Sequence, residues 1–195
     1  MTVFSPFSTG TRRGPAFRRY GAVLLVAASV VAPLSGKESD QPVQVSRVTA
    51  AFLYNFAKFT EWPADRLGAG ETLSMCVVGD FPVADALEMT IKGRSVEGHP
   101  LAVQLLKADG PLRTCHLVFV GGSESKRSAE ILQTLRGASV LSVGDAPSFA
   151  EIGGVAQLIL ENDRMRFAVN VSAAQTARLQ MSSKLLSLAT IVRDR

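Results

Sequence analysis

The side chains of this 195-residue chain that are best suited to covalent chemistry are its two cysteines, Cys76 and Cys115. A leader described below predicts export, and two cysteines in an exported protein most simply form one disulfide bond. Each cysteine lies in or beside a predicted strand, and neighbouring strands would bring the two Cα atoms within the ~4.4–6.8 Å that a disulfide requires. The alternative is a pair of buried free thiols that pack as small apolar groups.

The two histidines offer little for catalysis. His116 follows Cys115 directly, but successive side chains of a strand point to opposite faces, so this pair cannot easily share a proton. His99 lies in a Gly-His-Pro turn, and the cysteines and histidines do not follow the spacing of a zinc site. We therefore expect no catalytic residue, no metal site and no cofactor.

Glycine-rich turns follow three of the predicted strands, at Gly79-Asp80, at Gly121-Gly122-Ser123 and at Gly144-Asp145. None has the spacing of a phosphate loop or a dinucleotide-binding turn. The two aspartates are expected to cap helices, and an enzyme that uses them as paired carboxylates is a distant alternative. A small ligand at these strand ends is a further alternative, because ligands of open α/β sheets commonly bind there.

The charge of the chain argues against nucleic-acid binding. The net charge is +4, from 21 basic and 17 acidic residues, and four of the arginines lie in the first 36 residues, which contain no acid. The remaining residues are therefore neutral overall and lack the basic face that replaces phosphate counterions.

The first 36 residues resemble a cleavable secretory signal peptide. Arginines up to Arg19 precede an apolar run from Gly21 to Leu34, and Ser35 and Gly36 follow. A 14-residue helix rises only ~21 Å, less than the ~30 Å hydrocarbon core. The alternative is an uncleaved anchor. No later segment is long and apolar enough to span a bilayer, so we expect a soluble exported protein, with residues 37–46 as a flexible lead-in and residues 47–195 as one domain.

A helix is predicted from Ser46 to about Glu61, where Trp62-Pro63 ends it. Apolar residues spaced by three and four form a stripe that is expected to face the core. Leu53 and Tyr54 lie off that stripe and are candidates for a contact surface. The stripe comprises Val48, Ala51, Phe52, Asn55, Phe56 and Phe59.

The rest of the chain alternates short apolar runs with helical patterns, which predicts an α/β fold: a single domain with a mostly parallel five- to six-stranded sheet flanked by helices. The last two strands are joined by a turn and are expected to form a β-hairpin at the sheet edge. Phe149 and Ile152 lie in a glycine-bounded loop and are further candidates for partner contact. The predicted strands are 73–78, 101–106, 117–120, 140–143, 155–160 and 165–171; the predicted helices are 83–91, 125–136, a turn near 147–151 and two closing helices, the last from about 182 to 192.

Eight short runs, taken in order over roughly residues 47–192, resemble the YfiR family of small periplasmic regulators. The opening aromatic helix and the Cys-His strand are the most specific of them. The runs are AAFLYNFAKFTEWP (50–63), CVVGD (76–80), KGRSVEGHPL (92–101), CHLVFV (115–120), SVGD (142–145), FAEIGG (149–154), RFAVN (166–170) and SSKLL (182–186).

The resemblance implies that the chain binds the periplasmic sensor region of a membrane diguanylate cyclase and inhibits it, which lowers cyclic-di-GMP and biofilm or exopolysaccharide output. It also implies sequestration by an outer-membrane lipoprotein that binds peptidoglycan, a homodimer, and a bridge between Cys76 and Cys115. Some relatives carry a second cysteine pair in the region of residues 145–160, which this chain lacks. The alternative is a periplasmic small-molecule-binding module, or an accessory module of another membrane signalling protein.

Overall fold

The computed structural model describes residues 40–193, with side chains from residue 44 onward, and gives five α-helices, two short 3-10 helices (Leu112–Thr114 and Gly122–Arg127) and ten strands in that range. The helices are α1 (Asp40–Lys58), α2 (Phe81–Ile91), α3 (Ser128–Leu135), α4 (Val171–Thr176) and α5 (Ser183–Leu186). The strands are β1 (Thr60–Glu61), β2 (Leu73–Val78), β3 (Ser95–Val96), β4 (His99–Leu106), β5 (Leu117–Val120), β6 (Leu141–Gly144), β7 (Ala156–Glu161), β8 (Arg164–Asn170), β9 (Gln180–Met181) and β10 (Thr190–Val192).

Eight of the strands form one sheet in the order β10-β8-β7-β6-β5-β2-β4-β3. The five strands β4, β2, β5, β6 and β7 are mutually parallel, as expected where helices connect successive strands. β1 and β9 form a separate two-stranded ribbon. The predicted α/β class and mostly parallel sheet are confirmed, with more strands than expected because short strands extend both edges.

The carboxyl-terminal part of the chain differs from the prediction. β7 and β8 do form the expected antiparallel hairpin, with Asn162 and Asp163 at positive φ in its turn, but they are not the sheet edge. β10 pairs parallel to β8 and covers it. The predicted helix over 182–192 is wrong, because α5 is only four residues long and the β-branched Thr190-Ile191-Val192 run is extended.

Other boundaries shift by smaller amounts. α1 begins at Asp40, so part of the expected flexible lead-in is helical. The segment near 147–151 is a succession of turns rather than a helix. The predicted signal peptide lies outside the described residues. No helix within residues 40–193 combines the length and apolar character needed to cross a bilayer.

Two apolar clusters lie on opposite faces of the sheet, because side chains alternate along each strand. On β5, Leu117 and Phe119 join the larger cluster, which also includes buried residues of α1, α2 and α5. Val118 and Val120 face the smaller cluster, which contains the two cysteines and the buried side of α3. The sheet is therefore a central layer between α1 and α2 on one face and α3 on the other.

Candidate protein-interaction surface

Cys76 and Cys115 form a disulfide bond, as predicted, with Cα atoms 6.0 Å apart. Cys76 lies in β2, and Cys115 lies just before β5, the parallel neighbour of β2. Both residues are fully buried in the smaller cluster. The bond is a structural link across the centre of the sheet, and the alternative of two free thiols is excluded.

A buried polar cluster around His116 ties the segment after α1 to the start of β5. The backbone N–H of Ser74 donates to Nδ1 of His116 at 3.0 Å, so the ring proton is on Nε2, which lies 3.1 Å from the carbonyl oxygen of Arg66. Trp62 Nε1 donates to the His116 carbonyl at 3.0 Å, and Arg66 Nη2 donates to the Cys115 carbonyl at 2.8 Å. Burial lowers the pKa of His116. Both ring nitrogens contact backbone groups, so His116 acts as a structural anchor between these segments.

α1 buries a different face from the one predicted. Leu53 is fully buried against the larger cluster, so the expectation that it lies on a contact surface is wrong. Residues on the expected core stripe, including Ala51 and Asn55, are instead exposed. Phe52 and Phe59 are only half-buried, whereas Phe56 is fully buried. Periodicity could not choose between the two faces, since both are apolar and the buried one carries small residues such as Ala50 and Ala57.

Tyr54 is half-buried and packs on the edge of the larger cluster. The guanidinium of Arg94 lies over its ring, 5.1 Å from the ring centroid, which is the geometry of a cation–π contact. A role for Tyr54 in partner contact stays a prediction.

Phe149 is fully buried, so the expectation that it presents an exposed contact is also wrong. Its ring lies between Gly144 and Gly154, where added Cβ atoms would come within 2.5 Å and 2.3 Å of ring carbons. The two glycines therefore make room for an aromatic anchor of the loop. Ile152, three residues later, is 48% exposed, and its proposed contact role stays a prediction.

Ile152 borders a cavity of about 450 Å³ between α3, the loop after Phe149 and α4. Its lining includes Leu132 and Arg136 of α3 and Ala173 and Thr176 of α4. This volume is within the range of small-molecule sites. The cavity lies away from the strand ends at which a ligand was expected.

Those strand ends are closed by side chains. Ser123 Oγ donates to the Gly79 carbonyl at 2.6 Å, and a Cβ on Gly79 would lie 2.6 Å from Glu124 Cγ. Asp80 caps α2 by accepting a hydrogen bond from the Val83 N–H at 3.0 Å, as predicted. Loss of hydration raises the pKa of Asp145 to about 6, and the charge of Asp80 adds to the rise. No group of metal-ligating side chains is assembled there or elsewhere within residues 44–193.

An apolar groove of about 400 Å³ runs between α1 and the α5 segment; we call it the α1–α5 groove. Its lining is almost wholly apolar, and Leu188 is 76% exposed. Sequence reasoning missed Leu185 and Leu188 because they fall in a segment predicted to be a packed helix. The groove is lined by Val48, Ala51, Phe52, Asn55, Phe56, Phe59, Phe167, Lys184, Leu185 and Leu188.

Comparison with known proteins gives both a family and a fold. A model of the YfiR/HmsC-like family matches residues 46–190. Among solved structures, the chain is similar to a conserved domain protein from Vibrio cholerae O1 biovar eltor, with 11% identity and a TM-score of 0.53 over 75% of this chain and 59% of that one. It is also similar to an ABC domain in complex with L-Trp from Streptococcus pneumoniae, with 8% identity and a TM-score of 0.51 over 73% of this chain and 60% of that one. The chain thus spans about three fifths of each solved structure, and these likenesses show the fold alone.

Proposed function

This chain belongs to the YfiR/HmsC-like family, which suggests regulation of a diguanylate cyclase, and we propose that it binds the periplasmic sensor region of a membrane-anchored cyclase and holds that cyclase inactive. The match over residues 46–190 carries the proposal, because it covers nearly the whole described chain. Inhibition by binding needs no catalytic group; it needs a surface whose burial favours one state of the partner. The proposed consequence is lower cytoplasmic cyclic-di-GMP and less exopolysaccharide and biofilm.

The proposal places the protein in the periplasm, after removal of residues 1–36. It includes a homodimer, and release of the cyclase when an outer-membrane lipoprotein that binds peptidoglycan sequesters the regulator. The exposed apolar groove beside α1 supports a binding role, because contiguous exposed apolar surface commonly marks an interaction site.

The test is intracellular cyclic-di-GMP in a host deleted for this protein, complemented with the chain with or without residues 1–36. We expect only the exported form to lower cyclic-di-GMP. A chain of matched abundance that lacks residues 1–36 is the control for effects of expression. If the exported form is folded and abundant and the level does not change, the proposed inhibition of a cyclase is refuted for that host.

A second candidate function, small-molecule binding, is favoured by the cavity between α3 and α4. A ligand present at 100 times its dissociation constant would add ~2.7 kcal/mol to the stability of the folded state. A thermal-shift screen of periplasmic metabolites against the wild type and Ala173→Phe, which fills the cavity, tests this function. A hit that stabilises both proteins equally does not occupy this cavity.

A further inference from the structure

The α1–α5 groove exposes apolar side chains on both of its walls. On α1, Val48 is 37% exposed and Phe52 is half-buried, as is Phe59 just after the helix. On the opposite wall, Leu188 is 76% exposed, the largest exposure among the large apolar residues of the described chain. The surface continues past Val48 to a second hollow, where Leu160 is 53% exposed. Such continuous apolar exposure is unfavourable in water unless a partner covers it.

The floor of the groove consists of packed aromatic rings. Phe56 and Phe167 line it and are fully or almost fully buried, with ring centroids 5.2 Å apart and the rings in an edge-to-face arrangement. Phe52 packs edge-to-face against both of these rings. Because these three rings already pack against one another, a partner that fills the groove need not order them.

Along the two walls, the charged side chains that the structure describes are basic. Residues 44–58 of α1 and residues 182–193 contain four basic side chains, Arg47, Lys58, Lys184 and Arg193, and no aspartate or glutamate. All four are exposed, and Lys184 lines the groove itself. The β7–β8 hairpin turn lies at one end of the groove and adds the acidic residues Glu161 and Asp163. Their charges are offset by Arg164 and Arg166, and Arg166 Nε lies 3.9 Å from Glu161 Oε2. At the other end, exposed Glu61 borders the hollow that also contains Lys58 and Phe59. The basic excess around the apolar groove therefore comes from Arg47, Lys184 and Arg193.

We propose that the α1–α5 groove is the docking site for an acidic amphipathic helix of the partner protein. α1 from Gln44 to Lys58 extends over ~21 Å at 1.5 Å per residue, which matches about four turns of a partner helix. Apolar side chains at i, i+3, i+4 and i+7 of that helix occupy the α1–α5 groove. Its acidic side chains face Arg47, Lys58 and Lys184. The inference rests on the proposed function, in which this helix belongs to the periplasmic region of the cyclase.

A helix suits the groove better than a lipid surface or a second copy. A bilayer contacts protruding side chains such as Leu188, but it does not reach Phe56 and Phe167, which are recessed at the floor of the groove. Within residues 44–193, one exposed helical stripe has the right character, Phe81, Asp85 and Met89 on α2. If one copy of the chain docked its α2 into the groove of a second copy, the two copies would use different surfaces. Such a head-to-tail interface does not form a closed two-fold dimer.

The test uses the full chain in the periplasm of its host, with the photo-crosslinking residue p-benzoylphenylalanine at position 188 and, as a control, at position 89 on exposed Met89. We expect position 188 to crosslink to a segment of a membrane-anchored protein that mass spectrometry identifies as acidic and amphipathic. Lys184→Glu should reduce that crosslink about tenfold, as expected for reversal of a charge at an interface, whereas Lys126→Glu on the far side of the sheet should not.

The other outcomes overturn the proposal. Crosslinks from position 188 to phospholipid or to a second copy of this chain assign the groove to a different occupant, and equal yields at positions 188 and 89 show no specific docking. Cyclic-di-GMP separates this failure from that of the proposed function. If the wild type lowers cyclic-di-GMP and the folded Leu188→Asp and Lys184→Glu variants lower it equally, the groove is not the docking site although the regulatory function stands. If the wild type does not lower cyclic-di-GMP, the regulatory function fails. The identity of the segment crosslinked at position 188 then tests the docking site by itself.

Discussion

The backbone N–H of Ser74 donates to Nδ1 of His116 across 3.0 Å, and this contact links β2 to the residue just before β5. Protonation of the imidazole would replace the accepting lone pair by a second N–H, which cannot coexist with the Ser74 donor. The fold therefore holds His116 neutral, one residue away from the disulfide.

The first prediction is that the protein loses stability in mild acid through His116. Burial, which is the largest cause, lowers the pKa of His116 from its ordinary value of 6.5, and the charges of Arg66 and His99 lower it further. The Arg66 carbonyl and the charge of Glu71 act in the opposite direction. Below the unfolded pKa the unfolded chain takes up a proton before the folded chain does, so stability present at neutral pH is lost as the pH falls toward the folded pKa.

The measurement is the free energy of unfolding in urea between about pH 7.5 and pH 5 for the wild type and for His116→Asn, which does not titrate. The wild type should lose more stability over this range than the variant. Asp145 acts in the opposite direction, because its raised pKa of about 6 lets the folded chain bind a proton first as the pH falls. The comparison is therefore repeated in an Asp145→Asn background, and parallel pH profiles there would refute the role of His116.

The second prediction concerns the disulfide. The bond closes a segment with a sequence separation of 39, and the chain-entropy relation gives a stabilisation of about 4 kcal/mol as an upper value. The double variant Cys76→Ala/Cys115→Ala should lose about 2–4 kcal/mol in chemical denaturation. Wild type that is unfolded and refolded under reductant is the matched control, since it keeps both sulfur atoms in the core. Equal stability of oxidised and reduced wild type would contradict the prediction.

The third prediction distinguishes the two faces of the α1 region. Leu53→Ala should cost about 2–5 kcal/mol, because Leu53 is fully buried and the change leaves a cavity. Leu188→Ala should change stability by less than about 0.5 kcal/mol, because Leu188 is mostly exposed. Urea unfolding of the two leucine variants makes a matched comparison. A larger loss at Leu188 than at Leu53 would mean that the opposite face of α1 is buried.

The fourth prediction tests the aromatic anchor of the 145–154 loop. In Gly154→Ala the new Cβ would lie 2.3 Å from Phe149 Cδ1, so we expect a loss of about 1–3 kcal/mol from overpacking. Phe149→Leu in the same background should recover part of that loss. Gly122→Ala, whose Cβ would meet nothing closer than Asp145 Oδ1 at 3.4 Å, is the control. Similar losses in both glycine variants, measured by thermal unfolding, would rule out a specific clash.

The elements near the sheet centre could be predicted from local pattern. The β2 run Leu73–Val78 and the β5 run Leu117–Val120 were placed at their observed bounds, since a short apolar run between turn residues is typical of a buried parallel strand. The Asp80 cap is a local contact between residues three apart and was predicted for the same reason. The Cys76–Cys115 bond followed from the cysteine count together with the predicted strands.

Features that depend on non-local contacts could not be predicted in this way. Leu53 and Phe52 both belong to apolar faces of α1, and only packing against α2 and the sheet decides that Leu53 is inside while Phe52 borders a groove. Phe149 is buried because Gly144 and Gly154, ten residues apart, lie on either side of its ring. β10 is a strand because β8 offers it a free edge, a partner that no local window contains.

The sequence by itself determined the α/β class, the family resemblance and the cysteine pair, because each rests on residue types and spacing within short segments. The tertiary structure alone decided which apolar residues remain on the surface. A hydrophobic side chain is stabilised by the loss of water contact both in the core and at an interface with a partner. The residue type therefore does not show which of the two locations it occupies. The α1–α5 groove exists because the chain has more apolar faces around α1 than its own packing covers.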